Sequence, residues 1–191
     1  MATISGIGFN TGDANGDLAR LTAQLDRFAQ MGCEMVEITA TGLDAVCACR
    51  LIPERVAAVR EILVRYPFTY SMHAPIAINL MDETHRDLHK RAALASLELA
   101  DALDARTVVL HPGRVHPRVW ASEADRLLTM EREVLAEVGD RARALGVVIA
   151  YENISPNPRV IAGEETSYSL DPRALAAQLA ALSHPAVLAC L

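Results

Sequence analysis

Two histidines, His73 and His111, stand in the same local setting. Each closes a short apolar run, and each is followed by a proline within two residues, as His73-Ala74-Pro75 and His111-Pro112-Gly113. Glutamates close two further runs, at Val36-Glu37 and at Ala150-Tyr151-Glu152. A single histidine in such a place usually does no more than hydrogen-bond to the backbone, and a single glutamate usually faces arginine or water. The weight comes from recurrence, because consecutive runs end in Glu, His, His and Glu. Imidazole nitrogens and carboxylate oxygens converging on one point suit a divalent transition ion such as zinc, manganese or iron. Such an ion polarises a carbonyl group or activates water.

The elements that must position these groups follow from the hydrophobic periodicity. Strands are expected at 3–9, 35–39, 69–74, 107–111, 147–152 and 187–191. Helices are expected at 18–31 with Asp17 as N-cap, at 53–65 with Pro53 in the first turn, and at 84–103. Two more are expected at 122–145, closed by Gly146, and at 172–182, capped by Asp171. The strands begin 32 to 40 residues apart, the period of βα repetition in a parallel sheet.

Two architectures share that period, an open doubly wound sheet and a closed (β/α)8 barrel, and in both the catalytic groups gather at the carboxyl ends of the strands. A full barrel takes about 250 residues, so 191 residues hold about six of its eight strands. Val187-Leu188-Ala189-Cys190-Leu191 reads as a central strand without a turn residue, so the chain is expected to be a partial barrel domain over 1–191, cut in strand six. Strands one and six would then carry unpaired edges, and Val108, Leu110, Val148 and Ala150 are expected to face the barrel interior. A dinucleotide-binding turn fits poorly. Gly6-Ile7-Gly8 lies within the first strand rather than after it, and Thr11 stands where the third glycine belongs.

Composition narrows the class of partner. With 18 Lys or Arg against 24 Asp or Glu, the net charge is −6, and Lys90 is the single lysine, which argues against a nucleic-acid partner. At 51% hydrophobic the chain can build a core, yet no run approaches the roughly 20 apolar residues of a membrane span. The N-terminus has neither the charged nor the apolar region of a signal peptide, so a cytoplasmic location is expected. Cys33, Cys47, Cys49 and Cys190 make no disulfide framework and are read as reduced thiols; Cys47-Ala48-Cys49 is too short a motif to specify a metal by itself.

The ordered set His73-Ala74-Pro75 with Asn79-Leu80, Val108-Val109-Leu110-His111-Pro112-Gly113, and Glu152-Asn153 resembles the xylose-isomerase-like barrel superfamily, which includes sugar (phosphate) isomerases and epimerases as well as endonuclease IV. The resemblance runs from strand one to strand six. It implies that His73, His111 and Glu152 ligate a divalent metal, zinc, manganese, iron or magnesium, with Glu152 also the catalytic base. It adds Glu37, Asn79 and Asn153 as substrate-binding positions. Family ligands that follow strands six, seven and eight fall beyond Leu191. The activity implied is isomerisation or epimerisation of a sugar, sugar phosphate or similar polyhydroxy carbonyl compound. An abasic-site phosphodiesterase and a binding protein without turnover are the alternatives.

Weaker features sit on the same rim. Arg114, His116 and Arg118 follow the fourth strand, and Arg114 with His116 suits an anionic group of a small-molecule substrate. His85 and His89, at i and i+4, read as a solvated helix face, and Trp120 and Tyr151 as an apolar wall or core. A homo-oligomer is left open.

Overall fold

The computed structural model describes residues 6–12 and 14–191. Its main sheet is built from β1 (Gly8–Asn10), β2 (Met35–Thr39), β5 (Thr69–His73), β6 (Thr107–Leu110), β7 (Val148–Glu152) and β8 (Val187–Cys190). These strands pair in that order, every one parallel to its neighbour. A doubly wound sheet needs a point where the strand order reverses. Strictly sequential order has none, so the sheet is an arc of a barrel, with β1 and β8 as its two edges. Leu188 on β8 is 53% exposed there.

Helices α1 (Leu18–Gln30), α2 (Pro53–Leu63), α3 (Arg86–Ala102), α4 (Pro117–Leu145) and α6 (Pro172–Leu182) connect the strands, with a short α5 (Pro158–Ile161) after β7. Asp17 caps α1 by accepting from the amides of Ala19 and Arg20, and Asp171 caps α6 through Arg173. Gly146 ends α4 with φ of 67°, a left-handed turn in which glycine carries no Cβ penalty. Helix α4 begins five residues before its apolar periodicity does. Pro117 occupies its first turn, and the His116 side chain accepts from the Arg118 amide. The first strand, expected from residue 3, begins at Gly8; residues 1–5 lie outside the described part.

A two-stranded antiparallel hairpin, β3 (Val46–Cys47) and β4 (Arg50–Leu51), interrupts the connection after β2 and escapes sequence reading. Its two-residue loop, Ala48-Cys49, has positive φ at both positions, 50° and 60°. That is the mirror-image turn that Asn-Gly or Asp-Gly normally announces, made here by residues that give no such signal. The Cys47-Ala48-Cys49 motif is therefore a hairpin turn, with Cys47 exposed.

The core lies between the sheet and its helices. Ile149 and Tyr151 of β7 are fully buried on that side, and alternation sends Val148, Ala150 and Glu152 to the opposite, barrel-interior face. Val108 and Leu110 pair in register with Ile149 and Tyr151, so they too face the helices. This corrects the expectation that they line the interior, a role that falls to Thr107, Val109 and His111. The run Thr107-Val108-Val109-Leu110 offers no polar alternation to set its phase. Among the described residues no helix is long and apolar enough to cross a membrane.

Candidate metal centre

The strand register brings the four end groups onto the interior face. Thr39, His73, Val109, Ala150 and Leu188 form one row across the sheet. The next row toward the carboxyl ends holds His111, Glu152 and Cys190, while Glu37 lies one row behind, beside Ser71. His73 ends β5, His111 follows β6 directly, and Glu152 ends β7.

Side-chain atoms of His73, His111 and Glu152 lie within 4.8 Å of one another, the one such three-residue group among the described residues. His111 Nε2 is 2.9 Å from Glu152 Oε2, and His73 Nε2 is 3.7 Å from the same oxygen. The two imidazoles meet edge to face, centroids 4.9 Å apart at 88°. His73 Nδ1 lies 2.8 Å from the Ala74 carbonyl. A carbonyl only accepts, so Nδ1 carries a proton and donates it, and Nε2 faces Glu152. This backbone-anchored tautomer is the one that metal-binding histidines adopt. Burial lowers the His111 pKa, and the neighbouring His73 adds to this, while the hydrogen bond to Glu152 opposes it. The neutral imidazole a metal needs is thereby favoured. Nitrogen and oxygen donors in this number fit a divalent ion with open positions for substrate or water.

The cluster floors a cavity of about 400 Å³ whose walls include Ile76, Arg114, Asn153 and Asn157. The Arg114 guanidinium donates to the Ile76 carbonyl at 2.5 Å. Glu37 is not part of that wall, and its Oε1 accepts from Asn10 Nδ2 at 2.6 Å. Cys190 Sγ approaches Glu152 Oε1 at 3.8 Å, and burial together with both glutamates raises its thiol pKa.

Other sequence-derived positions have structural partners of their own. Asn79 clasps two loops, since its side chain donates to the Arg114 carbonyl at 2.7 Å and accepts from the Arg114 amide at 3.0 Å. His116 is an exposed helix cap outside the cavity wall, and Arg118 provides the amide it accepts from. His89 is not part of a solvated face. Its Nδ1 accepts from the Asn79 amide and its Nε2 meets Asp82, which also holds the exposed His85. Trp120 stacks on Tyr168, and Tyr151 is wholly buried on the helix side.

Gly113 completes the clasp. A Cβ there would stand 2.4 Å from Met81 Cγ, 2.7 Å from Met81 Cβ and 3.0 Å from Asn79 Oδ1. Gly113→Ala is expected to lower stability by about 1–3 kcal/mol, the usual cost of overpacking. Urea denaturation measures it, and an unchanged midpoint would show that the two loops give way freely.

Sequence reading missed Glu131, the buried acid behind this site. It occupies α4 four residues after Leu127 and four before Leu135, inside the apolar stripe. A charge in that stripe is the signal that could have revealed it.

Comparison with known proteins agrees with the fold. Residues 25–191 match the family described as xylose isomerase-like TIM barrel. An uncharacterized protein of Methanocaldococcus jannaschii, MJ1311, is 29% identical over 146 residues, which are 75% of this chain and 47% of that protein. A D-tagatose 3-epimerase-like protein superposes with a TM-score of 0.63 at 23% identity, covering 80% of this chain and 54% of its own. The TTHB071 protein of Thermus thermophilus, soaked with ZnCl2, gives 0.64 at 25% identity, covering 97% and 64%. The chain thus spans about half the length of the curated relative and less than two thirds of these structures. It belongs to the xylose isomerase-like TIM barrel family.

Proposed function

We propose that His73, His111 and Glu152 hold one divalent metal ion, zinc, manganese, iron or magnesium, in an isomerase or epimerase that acts on a sugar, sugar phosphate or similar polyhydroxy carbonyl compound. The observation that carries this reading is the convergence of the three donors within 4.8 Å, with the His73 tautomer set by the Ala74 carbonyl. The likeness to a D-tagatose 3-epimerase-like protein and to a zinc-soaked structure supports it.

When bound, such an ion draws electron density from a substrate carbonyl and acidifies the adjacent C–H. Glu152 Oε2, which faces the two histidines, would hold the ion, while Oε1, which among the described residues meets the weak Cys190 thiol donor, would take that proton. The C–H electron pair moves toward the carbonyl as the proton passes to Glu152. Delivery of the proton to the former carbonyl carbon, with the adjacent hydroxyl proton passing to the former carbonyl oxygen, completes an isomerisation, and delivery to the original carbon from the opposite face by a second group, as the carbonyl re-forms, completes an epimerisation. Arg114 and Asn153 border the same cavity and would hold an anionic group or hydroxyls. Glu37 would reach substrate from deeper in the interior, and Asn79 and His116 contribute by holding their loops. The polar lining of the cavity supports a small-molecule substrate.

The test is incubation of the metal-loaded protein with ketose sugars in D2O. Deuterium is expected at the carbon next to the carbonyl. Metal uptake with cleavage of abasic DNA and no sugar exchange would replace this reading with a phosphodiesterase, and uptake with neither activity would leave a binding protein.

A further inference from the structure

Glu131 is fully buried in α4, and the metal-site reading gives it no task. Its Oε1 accepts from the Gly113 amide and the Tyr151 hydroxyl, each at 2.7 Å. Its Oε2 accepts from the Tyr168 hydroxyl at 2.7 Å and from Gln178 Nε2 at 3.1 Å. Gly113 lies two residues after His111, and Tyr151 directly precedes Glu152. The carboxylate therefore fastens, from behind the sheet, the two strand ends that present those groups to the cavity. It ties them to the segment bearing Tyr168 and to α6, which carries Gln178.

Burial pushes the Glu131 pKa up, and its four donors pull against that. A well-packed apolar residue would fill the same space without the desolvation cost of a carboxyl group. What an apolar residue lacks is an acceptor such as Oε1, which sets the Gly113 backbone and Tyr151 at fixed distances. We infer that Glu131 is a positioning residue, which holds His111 and Glu152 in register for metal binding through Gly113 and Tyr151. This inference rests on the metal-site reading above.

Glu131→Gln tests it, because an amide keeps the shape but loses one acceptor oxygen, so at least one of the four donors loses its partner. Partners that orient metal ligands typically change affinity ten- to a hundredfold. Cobalt titration followed by visible absorption is expected to show a loss of that size in folded Glu131→Gln. NMR of the metal-free protein is expected to show shifted His73 and His111 ring signals and an unmoved His85. Leu135→Ala, equally buried one turn along α4, is the control for mere destabilisation and is expected to change neither readout. Folded Glu131→Gln with wild-type affinity and unshifted rings would overturn the inference, as would equal losses in Leu135→Ala. If Glu131→Gln fails to fold, Tyr151→Phe removes one donor alone. A several-fold loss with the same ring shifts would support the inference, and no change would overturn it. If the wild type takes up no cobalt, the metal-site reading fails, and the ring signals of the metal-free variants decide this one.

Discussion

Glu152→Gln is expected to remain folded and to lose metal affinity by about a hundredfold or more, beyond the ten- to hundredfold effect of groups that only orient ligands. The carboxylate is the one negatively charged member of the three-residue cluster, and its Oε2 is the atom both imidazoles approach. An amide oxygen there is neutral, and its companion nitrogen cannot accept from either ring. The fold should hardly change. The side chain is 33% exposed on the interior face, outside the core, and such substitutions typically fall within about 0.5 kcal/mol. Chelator competition and thermal melts read the two quantities separately. A variant with wild-type zinc affinity would remove Glu152 from the ligand set, and a variant that unfolds would make the residue structural.

Leu135→Ala should behave in the opposite way. Leu135 is fully buried on α4 within the main hydrophobic cluster. Removing three carbons from such a site typically costs about 2–5 kcal/mol, part transfer free energy and part cavity. Denaturant unfolding should show a loss in that range, with the metal affinity of the folded fraction unchanged. A loss below about 1 kcal/mol would mean that α4 closes the cavity by moving toward the sheet, and the anchoring of Glu131 would then move with it. The two substitutions together separate a site on one face of the sheet from a core on the other.

Much of this arrangement is legible in the sequence because parallel βα repetition marks its own elements. The strand ends His73, His111 and Glu152 follow from apolar runs closed by polar residues, while Glu37 falls in the middle of β2, and Asp17, Asp171 and Gly146 punctuate the helices. Other features escape for identifiable reasons. The Ala48-Cys49 turn adopts positive φ without glycine or asparagine, so the β3–β4 hairpin leaves no trace. The inward and outward faces of β6 cannot be told apart in Thr107-Val108-Val109-Leu110, where three consecutive residues are apolar. Helix α4 starts early because His116 and Pro117 set its first turn, before any apolar stripe appears. Glu131 has charged neighbours in Arg132 and Glu133, and only its place in the stripe between Leu127 and Leu135 sets it apart from a carboxylate facing water. Asn79 is identified by type but not by task, because its partners at Arg114 are 35 residues away.

The most direct test of the central claim is zinc-edge anomalous diffraction from crystals of the metal-loaded protein. A peak is expected, bounded by an imidazole nitrogen of His73, an imidazole nitrogen of His111 and a Glu152 carboxylate oxygen, each about 2.0–2.2 Å from the ion. Zinc bound only elsewhere, at Cys47 and Cys49 or at His85 and Asp82, or no bound zinc at all, would contradict it.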